Sequence, residues 1–479
     1  MKVAVIGGGV GGLAVAYELR KPALSGRPAP EVTVYEAQSR FGGNADTVNF
    51  SFGKGPQGEI RRWVDLGVND FNTAAYNDIM TVMKAIGFEE GVDYRPLEDT
   101  TSYYTGDGST FFTDNATPWW GTGMAPTLKA SVDDFMSTAG ADGDNPKYID
   151  YTLEQYIDER SGERKWDPQL GPRVIYPRVN GMYFTSAELG PRRMPFYAVM
   201  HYYKIQEGAG GDPARRMYFV GGASHWIQTL TAYMAKRMGV RLVSGFSAAV
   251  AREGDGWTVI DSADGARRET ADTVVIATHA NDGLRLLKTP PPGVAPIMAS
   301  IRYETAVSVA HVDARLLPVD QNAWCTYNIV IHEPGAVALK PYVINYVCNR
   351  HQNDAENPDY NRFGLPMFFL SINPHQPIRE SMVLKDDNGT PAFAYLHHNV
   401  FDFACMKAQH DIEPLQGAAG LYFAGGWTHG SGLHEECWQQ GMQVAGAILK
   451  RFENAEAPAP AVPDKAAFLA ARLRETAAG

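Results

Sequence analysis

"KVAVIGGGVGGLAVAYEL", residues 2–19, runs an apolar stretch into a glycine-rich turn and then into apolar positions at helical spacing. Lys2 to Ile6 reads as a short buried strand and Leu13 to Arg20 as a helix. Gly7, Gly9 and Gly12 spell G-x-G-x-x-G in its strand, turn, helix setting, with Gly11 as an extra glycine. Gly7 permits the tight turn, Gly9 lets backbone approach a pyrophosphate, and Gly12 lets the helix close on the strand. The free N–H groups and positive dipole end of the helix then face phosphate charge. Taken alone the motif is also compatible with a plain glycine-rich turn in an α/β protein, so its surroundings decide.

The next β-rich stretch, "EVTVYEAQSRFGG" at 31–43, ends in Glu36, an acid suited to ribose hydroxyls. The usual spacing of about 20 residues after the motif is lengthened here by the insert "KPALSGRPAP". A carboxylate at this place disfavours a 2′-phosphate, so NADP is not expected. Arg40 offers a fixed fork of donors to phosphate or ribityl oxygens, and Gly42 and Gly43 let the chain pass close to a ligand. Far along the chain, "GLYFAGGWTHGSGLHEECWQQGMQVAGAIL" at 420–449 repeats the pattern. Leu421 to Ala424 reads as a strand, Gly425–Gly426 as a turn, and His434 to Leu449 as a helix. Its start near Leu433, His434 and Glu435 would aim a positive dipole end at a ligand, with Glu435 and Glu436 also readable as first-turn acids.

"EAQSRFGG" resembles the E-A-x-x-R-x-G-G signature of the FAD-dependent amine oxidase and phytoene desaturase superfamily, with Glu36, Ala37, Arg40, Gly42 and Gly43 in its positions. "WVDLGVNDF" at 63–71 resembles the superfamily's D-L-G segment, and "FAG" at 423–425 its C-terminal motif. "RFGGNADTV", "VVIATHA", "HHNVFDF" and "GLHEECWQQGMQVA" extend the likeness over nearly the whole chain, nearest to bacterial NAD/FAD-binding oxidoreductases of that superfamily. The resemblance implies FAD and an α/β fold, in which a Rossmann-like domain of the glutathione-reductase type is interleaved with an α+β substrate-binding domain. The pieces expected are 1–72, 215–288 and 400–453 for the cofactor domain, 73–214 and 289–399 for the substrate domain, and 454–479 as a tail. Cofactor contacts are expected from Gly7, Gly9, Gly11, Gly12, Glu36, Ala37, Arg40, Gly42, Gly43, Asn44, Gly67, Val68, Asn69, Gly425, Gly426, Leu433, His434 and Glu435. Val250 is expected to touch adenine through its backbone.

The chain departs from true amine oxidases in three places. Many of those carry a lysine on a substrate-domain strand, where "YETAVSVAHVDARLL" at 303–317 has none. The familiar acid after F-A-G is replaced by Gly426–Trp427. Leu433 and His434 stand where an aromatic of the amine-clamping cage is expected. The stretch "AYLHHNVF" at 394–401, where a linking cysteine would lie, holds His397 and His398 instead, so dissociable FAD is expected, with a histidine link as the open alternative.

The reaction expected is oxidation of a substrate C–H, alpha to nitrogen or next to an unsaturated carbon, by hydride transfer to flavin N5. His434 is the expected polar group at the reacting edge and Trp427 a wall. The substrate is expected to be small to medium and partly apolar, because "YYTGDGSTFF", "PWWGTGM", "MPFYAVMHYYKI" and "PYVINYVCN" make the intervening segments rich in aromatic residues. Oxygen or another acceptor would take the electrons. The alternatives are a lipid or carotenoid desaturase or double-bond isomerase, and a non-catalytic binding protein on the same scaffold.

Composition excludes other classes. A net charge of −11, with no dense Lys/Arg stripe, speaks against nucleic acid as a partner. No run of 18 apolar residues occurs, so no transmembrane segment is expected. Cys325, Cys348, Cys405 and Cys437 show no C-x-x-C spacing, and the histidines lack metal-ligand partners, so no metal is expected. With the first strand beginning at Lys2, a cytoplasmic location is expected.

Overall fold

A parallel sheet of five strands forms around the opening segment, in the order Arg241–Val243, Glu31–Tyr35, Lys2–Ile6, Thr273–Ile276, Leu421–Phe423. Its central strands are apolar runs buried on both faces, as a parallel sheet covered by helices requires. The computed structural model describes residues 1–456 apart from 56–57, 115–118, 121–125, 184–189, 191–193, 207–214, 264, 266, 332–341 and 354–366. Most of the expected tail from 454 therefore lies outside the described residues.

Two helices close the sheet on one side. Val10–Arg20 follows the first strand directly, three residues earlier than apolar spacing implied, because Gly11 and Gly12 are taken into its first turn. The last helix, His434–Glu456, runs past the expected Leu449. The two pack together, with Tyr17 meeting Trp438 edge-on at 5.6 Å between ring centres. The insert after the first helix makes the short turn Lys21–Ser25, and Arg20 holds it by donating to Pro30 O at 2.9 Å and Met238 O at 2.8 Å.

A second, mixed sheet of eight strands stands opposite. Its order is Phe393–Asn399, Tyr303–His311, Phe369–Ile372, Ile344–Val347, Tyr327–Ile331, Thr101–Thr105, Thr110–Thr113, Trp119–Trp120. Side chains alternate faces along each strand. Tyr327 and Tyr346, paired across neighbouring strands, therefore share one face, and Asn328 and Asn345 share the other. The amides on that second face are fully buried and satisfied: Asn328 donates to Cys325 O and Asn345 O, and Asn345 donates to Leu316 O at 3.0 Å and accepts from Ser371. Such pairing is what keeps buried amides from costing the sheet stability.

The ribbon Thr47–Gly55 and Gly58–Asp65 and the three-stranded sheet of Asp70–Asn72, Arg216–Phe219 and Tyr94–Pro96 join the two large sheets. All four cysteines are buried thiols. Among the described residues no helix is long and apolar enough to cross a membrane.

Candidate active site

One cavity of about 430 Å³ runs between the parallel sheet and the eight-stranded sheet. At one end its wall is rich in glycine backbone. Gly7, Gly9 and Gly11 of the first turn, Gly42–Asn44, Gly67–Asn69 and Gly425–Gly426 all reach it, so segments more than 400 residues apart in sequence share one surface. They are laced together by main-chain bonds: Gly42 N–H to Gly8 O at 2.8 Å, and Val68 N–H to Asn44 O at 3.0 Å. Gly11 and Gly425 touch so closely that a Cβ on the first would sit 3.1 Å from the second's Cα.

Glu36 lies on this wall with its carboxylate already oriented. One oxygen accepts from Gly8 N–H and the other from Gln38 N–H, both at 2.8 Å. Each oxygen keeps acceptor capacity for a further donor such as a ribose hydroxyl.

Arg40, read as a donor toward phosphate, does not reach the wall. Its guanidinium donates to Gly43 O at 2.9 Å and pairs with Asp46 at 2.9 Å, so it fixes the Gly42–Asn44 loop from behind. Gly12 and Ala37 also stand off the wall. Val250 is fully buried away from it, paired with Val259 in an antiparallel strand, while its carbonyl accepts from Lys288 N–H at 2.9 Å.

At the C-terminal side, Trp427, Leu433 and His434 face the cavity. The Trp427 indole is held by donation to Thr278 O at 3.2 Å. Burial pulls the His434 imidazole down to about 4, so at neutral pH it is uncharged. Glu435 points the other way. Its two oxygens accept from Asp78 N–H at 2.8 Å and Ile79 N–H at 3.0 Å, capping the helix Asn77–Ile86. Glu436 accepts from Ser431 N–H, Ser431 Oγ and Leu433 N–H and so shapes the turn ahead of the helix. Glu435→Ala leaves two helix-end donors without their partner, and is expected to cost about 1–3 kcal/mol. Thermal unfolding checks this, with Glu435→Gln expected to lose less because its amide oxygen still accepts.

The other end of the cavity is made of side chains. Tyr76, Tyr183, Tyr202, Tyr327, Tyr342 and Tyr346 line it with Ile344, Arg178 and Arg216. Burial keeps the Tyr183, Tyr327, Tyr342 and Tyr346 phenols far above their ordinary range, hence protonated at any working pH. Tyr327 donates to Asp70 Oδ2 at 2.9 Å, with His351 Nε2 3.6 Å from the same oxygen. Burial pushes the Asp70 carboxyl up, but His351, Arg216 and Tyr327 together outweigh it, so it stays ionised. A third group, His279, His397 and His398 with Asp282, lines the cavity beside Thr278. His279 lies 3.5 Å from Asp282, His397 bonds Thr305 Oγ1 at 3.0 Å, and burial, helped by His279, keeps His398 neutral with its pKa lowered to about 4.

Asp70, Arg178, Arg216 and the individual tyrosines were not singled out from sequence. Signals existed for three of them: Asp70 directly follows the Gly67–Asn69 segment, and Tyr342 and Tyr346, with Ile344 between them, are spaced at the period of a strand face.

Comparison with known proteins agrees with this architecture. The sequence model for flavin-containing amine oxidoreductases matches residues 10–316. Among curated proteins none matches. In fold, the chain is similar to a putrescine oxidase solved with putrescine bound, at 13% identity and TM-score 0.59, covering 94% of this chain and 99% of that one. It is similar to a CLA-producing fatty acid isomerase from P. acnes, at 13% identity and TM-score 0.61, covering 94% and 98%. It is also similar to cyclohexylamine oxidase from Brevibacterium oxydans IH-35A, at 14% identity and TM-score 0.59, covering 94% and 99%. With the family model spanning well over half of the chain, and glycine turns from both of its ends meeting on one cavity, this protein belongs to the flavin-containing amine oxidoreductases and is an oxidoreductase enzyme.

Proposed function

We propose that the glycine-lined end of the cavity holds FAD without a covalent link, and that the tyrosine-lined end holds a small to medium, partly apolar substrate whose C–H bond is oxidised. The observation that carries this reading is the two-part wall itself: glycine-rich backbone from four segments at one end, and at the other end side chains from the eight-stranded sheet, from the helices Tyr176–Tyr183 and Phe196–Gln206 and from the strand Arg216–Phe219. The chain suits a dinucleotide where it must. A Cβ placed on Gly9, at the start of the first helix, would meet no atom within 4 Å. That leaves open space in front of the helix N–H groups, where a pyrophosphate is best stabilised. The division into a cofactor domain from 1–72, 215–288 and 400–453 and a substrate domain from 73–214 and 289–399 draws support from the strands, since the parallel sheet takes its members from 2–35, 241–276 and 421–423.

When bound, the flavin supplies a two-electron acceptor for the substrate C–H bond. The residues of the chain do the rest. Gly9, Val10 and Gly11 would hold the pyrophosphate through their N–H groups, Glu36 would accept from ribose hydroxyls, and backbone at Gly42–Asn44, Gly67–Asn69 and Gly425–Gly426 would border the cofactor. Trp427 and Leu433 form a wall that excludes water, and the protonated phenols orient the polar groups of a substrate without bringing in charge. His434, uncharged at neutral pH, offers one donor and one acceptor at the start of the last helix. Holding the reacting carbon in place and keeping water out can supply several kcal/mol of rate acceleration.

A second reading, desaturation or double-bond isomerisation of an acyl or terpenoid substrate, draws on the strand Tyr303–His311, which has no lysine, on Leu433 and His434 in place of an aromatic cage member, and on the fold shared with a fatty acid isomerase.

Purified protein is expected to be yellow, and to release FAD when denatured by acid. Anaerobic bleaching against amines, amino acids, unsaturated lipids and terpenoids then separates the readings. Rapid bleaching by primary amines selects amine oxidation, and bleaching by unsaturated acyl compounds alone selects the second reading. Protein that stays colourless after incubation with FAD would falsify both. Glu36→Ala removes a charge-assisted hydrogen bond worth about 1.5–3 kcal/mol, so its FAD dissociation constant is expected to rise about 10- to 100-fold. Equilibrium titration with FAD measures it, and unchanged affinity removes Glu36 from the ribose.

A further inference from the structure

We propose that the substrate carries an uncharged carbonyl oxygen, as in a ketone, ester or amide, and that the hydroxyls of Tyr342 and Tyr76 receive it at the tyrosine-lined end of the cavity. The inference rests on the flavin reading only in taking the reacting bond to lie toward the glycine-lined end. Both side chains lie on the cavity wall and are almost wholly buried, at 3% exposure for Tyr342 and 4% for Tyr76. Among the described residues neither hydroxyl has a hydrogen-bond partner, and neither is sealed inside the protein, so the part of each left accessible opens into the cavity. Other phenols of the same wall are already committed: Tyr327 donates to Asp70 Oδ2 at 2.9 Å and Tyr183 to Ala198 O at 3.2 Å. A buried hydroxyl left without a partner is costly, so two of them on one wall mark the place that a ligand fills.

The two rings are held in place from behind. Tyr342 O accepts from Asn373 Nδ2 at 3.0 Å, and its ring end lies on the backbone of the helix Tyr176–Tyr183: a Cβ on Gly181 would sit 2.4 Å from the hydroxyl oxygen. Tyr76 N–H donates to Asn72 O and its carbonyl accepts from Met80 N–H, both at 3.0 Å, while its ring packs against Phe71 at 5.9 Å between centres. Donors fixed in this way lose little freedom when a ligand arrives. Burial is the main cause that holds both phenols well above their ordinary range, and the Tyr202 phenol adds to it in each, so both keep their protons at any working pH. A phenol gives a hydrogen bond readily and accepts one poorly, because its lone pair is shared with the ring. A carbonyl oxygen offers two lone pairs and no proton, so it can satisfy both hydroxyls or either one. An ammonium has only donors and would leave the hydroxyl protons unpaired. A carboxylate could accept, but it gives up far more hydration on entering the chamber than a neutral carbonyl does, and neutral donors alone do not repay that. Nor does Asp70 on the same wall call for a cation: its Oδ2 takes the Tyr327 proton, and the fields of His351 and Arg216 already stabilise its charge.

The test uses flavin-loaded protein at pH 7.5 and probes of similar length: nonan-2-one as the carbonyl, 2-methylnon-1-ene as its hydrocarbon isostere, nonan-2-amine as the cation and nonanoate as the anion. Affinities are measured by calorimetry and, separately, by perturbation of the flavin visible spectrum. Each probe is compared between the native protein and the variants Tyr342→Phe and Tyr76→Phe, so differences in hydration among the probes cancel. Nonan-2-one is expected to bind about tenfold more weakly once the hydroxyl it uses is gone, while 2-methylnon-1-ene keeps its affinity. Loss in either variant or in both supports the proposal and shows which hydroxyl carries it. Unchanged ketone affinity in both variants, an equal loss for the alkene, or a loss confined to nonan-2-amine or nonanoate overturns it. Without ligand, each variant is expected to melt no lower than the native protein, because no partner inside the protein is lost. A clear drop in the variant that weakens the ketone would show that its hydroxyl serves the fold, and overturns the proposal as well. Failure of the flavin reading looks different: the protein takes up no FAD, while calorimetry still shows nonan-2-one losing affinity in the variant.

Discussion

Gly12→Ala is expected to destabilise the fold strongly, while Gly9→Ala, three residues earlier in the same motif, is expected to leave the fold intact and weaken the proposed cofactor binding. A Cβ on Gly12 would lie 2.1 Å from the Gly7 carbonyl oxygen and 3.2 Å from both Ala277 Cβ and Val5 Cγ1. None of these can swing aside, because the first belongs to the turn backbone and the others to fully or partly buried parts of the central sheet. The helix Val10–Arg20 would have to lift off the sheet, at a cost of about 3 kcal/mol or more. Gly9 has no neighbour within 4 Å of the added methyl, and its φ of −72° is open to any residue. The methyl group would instead project into the open space where, in the proposed reading, a phosphate approaches the helix N–H groups. FAD affinity is expected to fall about tenfold or more, the value of at least one charge-assisted hydrogen bond. Melting temperature of the apoprotein and FAD titration of both variants separate the two effects. A Gly12→Ala protein that melts normally and binds FAD, or a Gly9→Ala protein with undiminished affinity, contradicts the assignment of these glycines.

The second large effect is expected at Asp65, at the end of the ribbon strand Gly58–Asp65. Burial raises its carboxyl from 3.8 to about 7, against the hydrogen bonds from Thr47 Oγ1 and Ala223 N–H and with further help from Asp46 and Asp70. Because the folded state holds this proton more tightly than the unfolded chain, the contribution of Asp65 to stability is fully present below pH 4. That contribution falls as pH rises from 4 to 7 and is level above that. Asp65→Asn keeps an acceptor for both donors and never ionises. The variant is therefore expected to match the native protein at pH 4 and to exceed it by about 3–4 kcal/mol at pH 8. Denaturant unfolding of both proteins across this range is the measurement. An equal difference at all pH values, or a loss at pH 8, would show that the carboxylate is held ionised and is needed in that form.

The legibility of the site in the amino-acid chain differs from one residue to the next. Glu36 lines the cavity because a strand end beside the glycine turn leaves it little choice: its oxygens are fixed by Gly8 and Gln38, residues almost adjacent to it in space once the strand pairs. Arg40 has four rotatable bonds, and nothing local says that its guanidinium engages Gly43 O, Ala45 O and Asp46. Glu435 and His434 are neighbours on one helix start, so their directions differ by about 100°, and only the position of the helix Asn77–Ile86 decides that Glu435 is the one turned away.

The sequence by itself determined the two glycine turns, the acid after the second strand and the family, because each depends on backbone geometry set within a few residues. The tertiary structure alone decided which of the 23 tyrosines line the chamber and that Arg178 and Arg216 meet over one of them. Those outcomes follow from strand register, such as Tyr327 opposite Tyr346, between segments whose pairing is fixed by the packing of the whole sheet and not by their own residues.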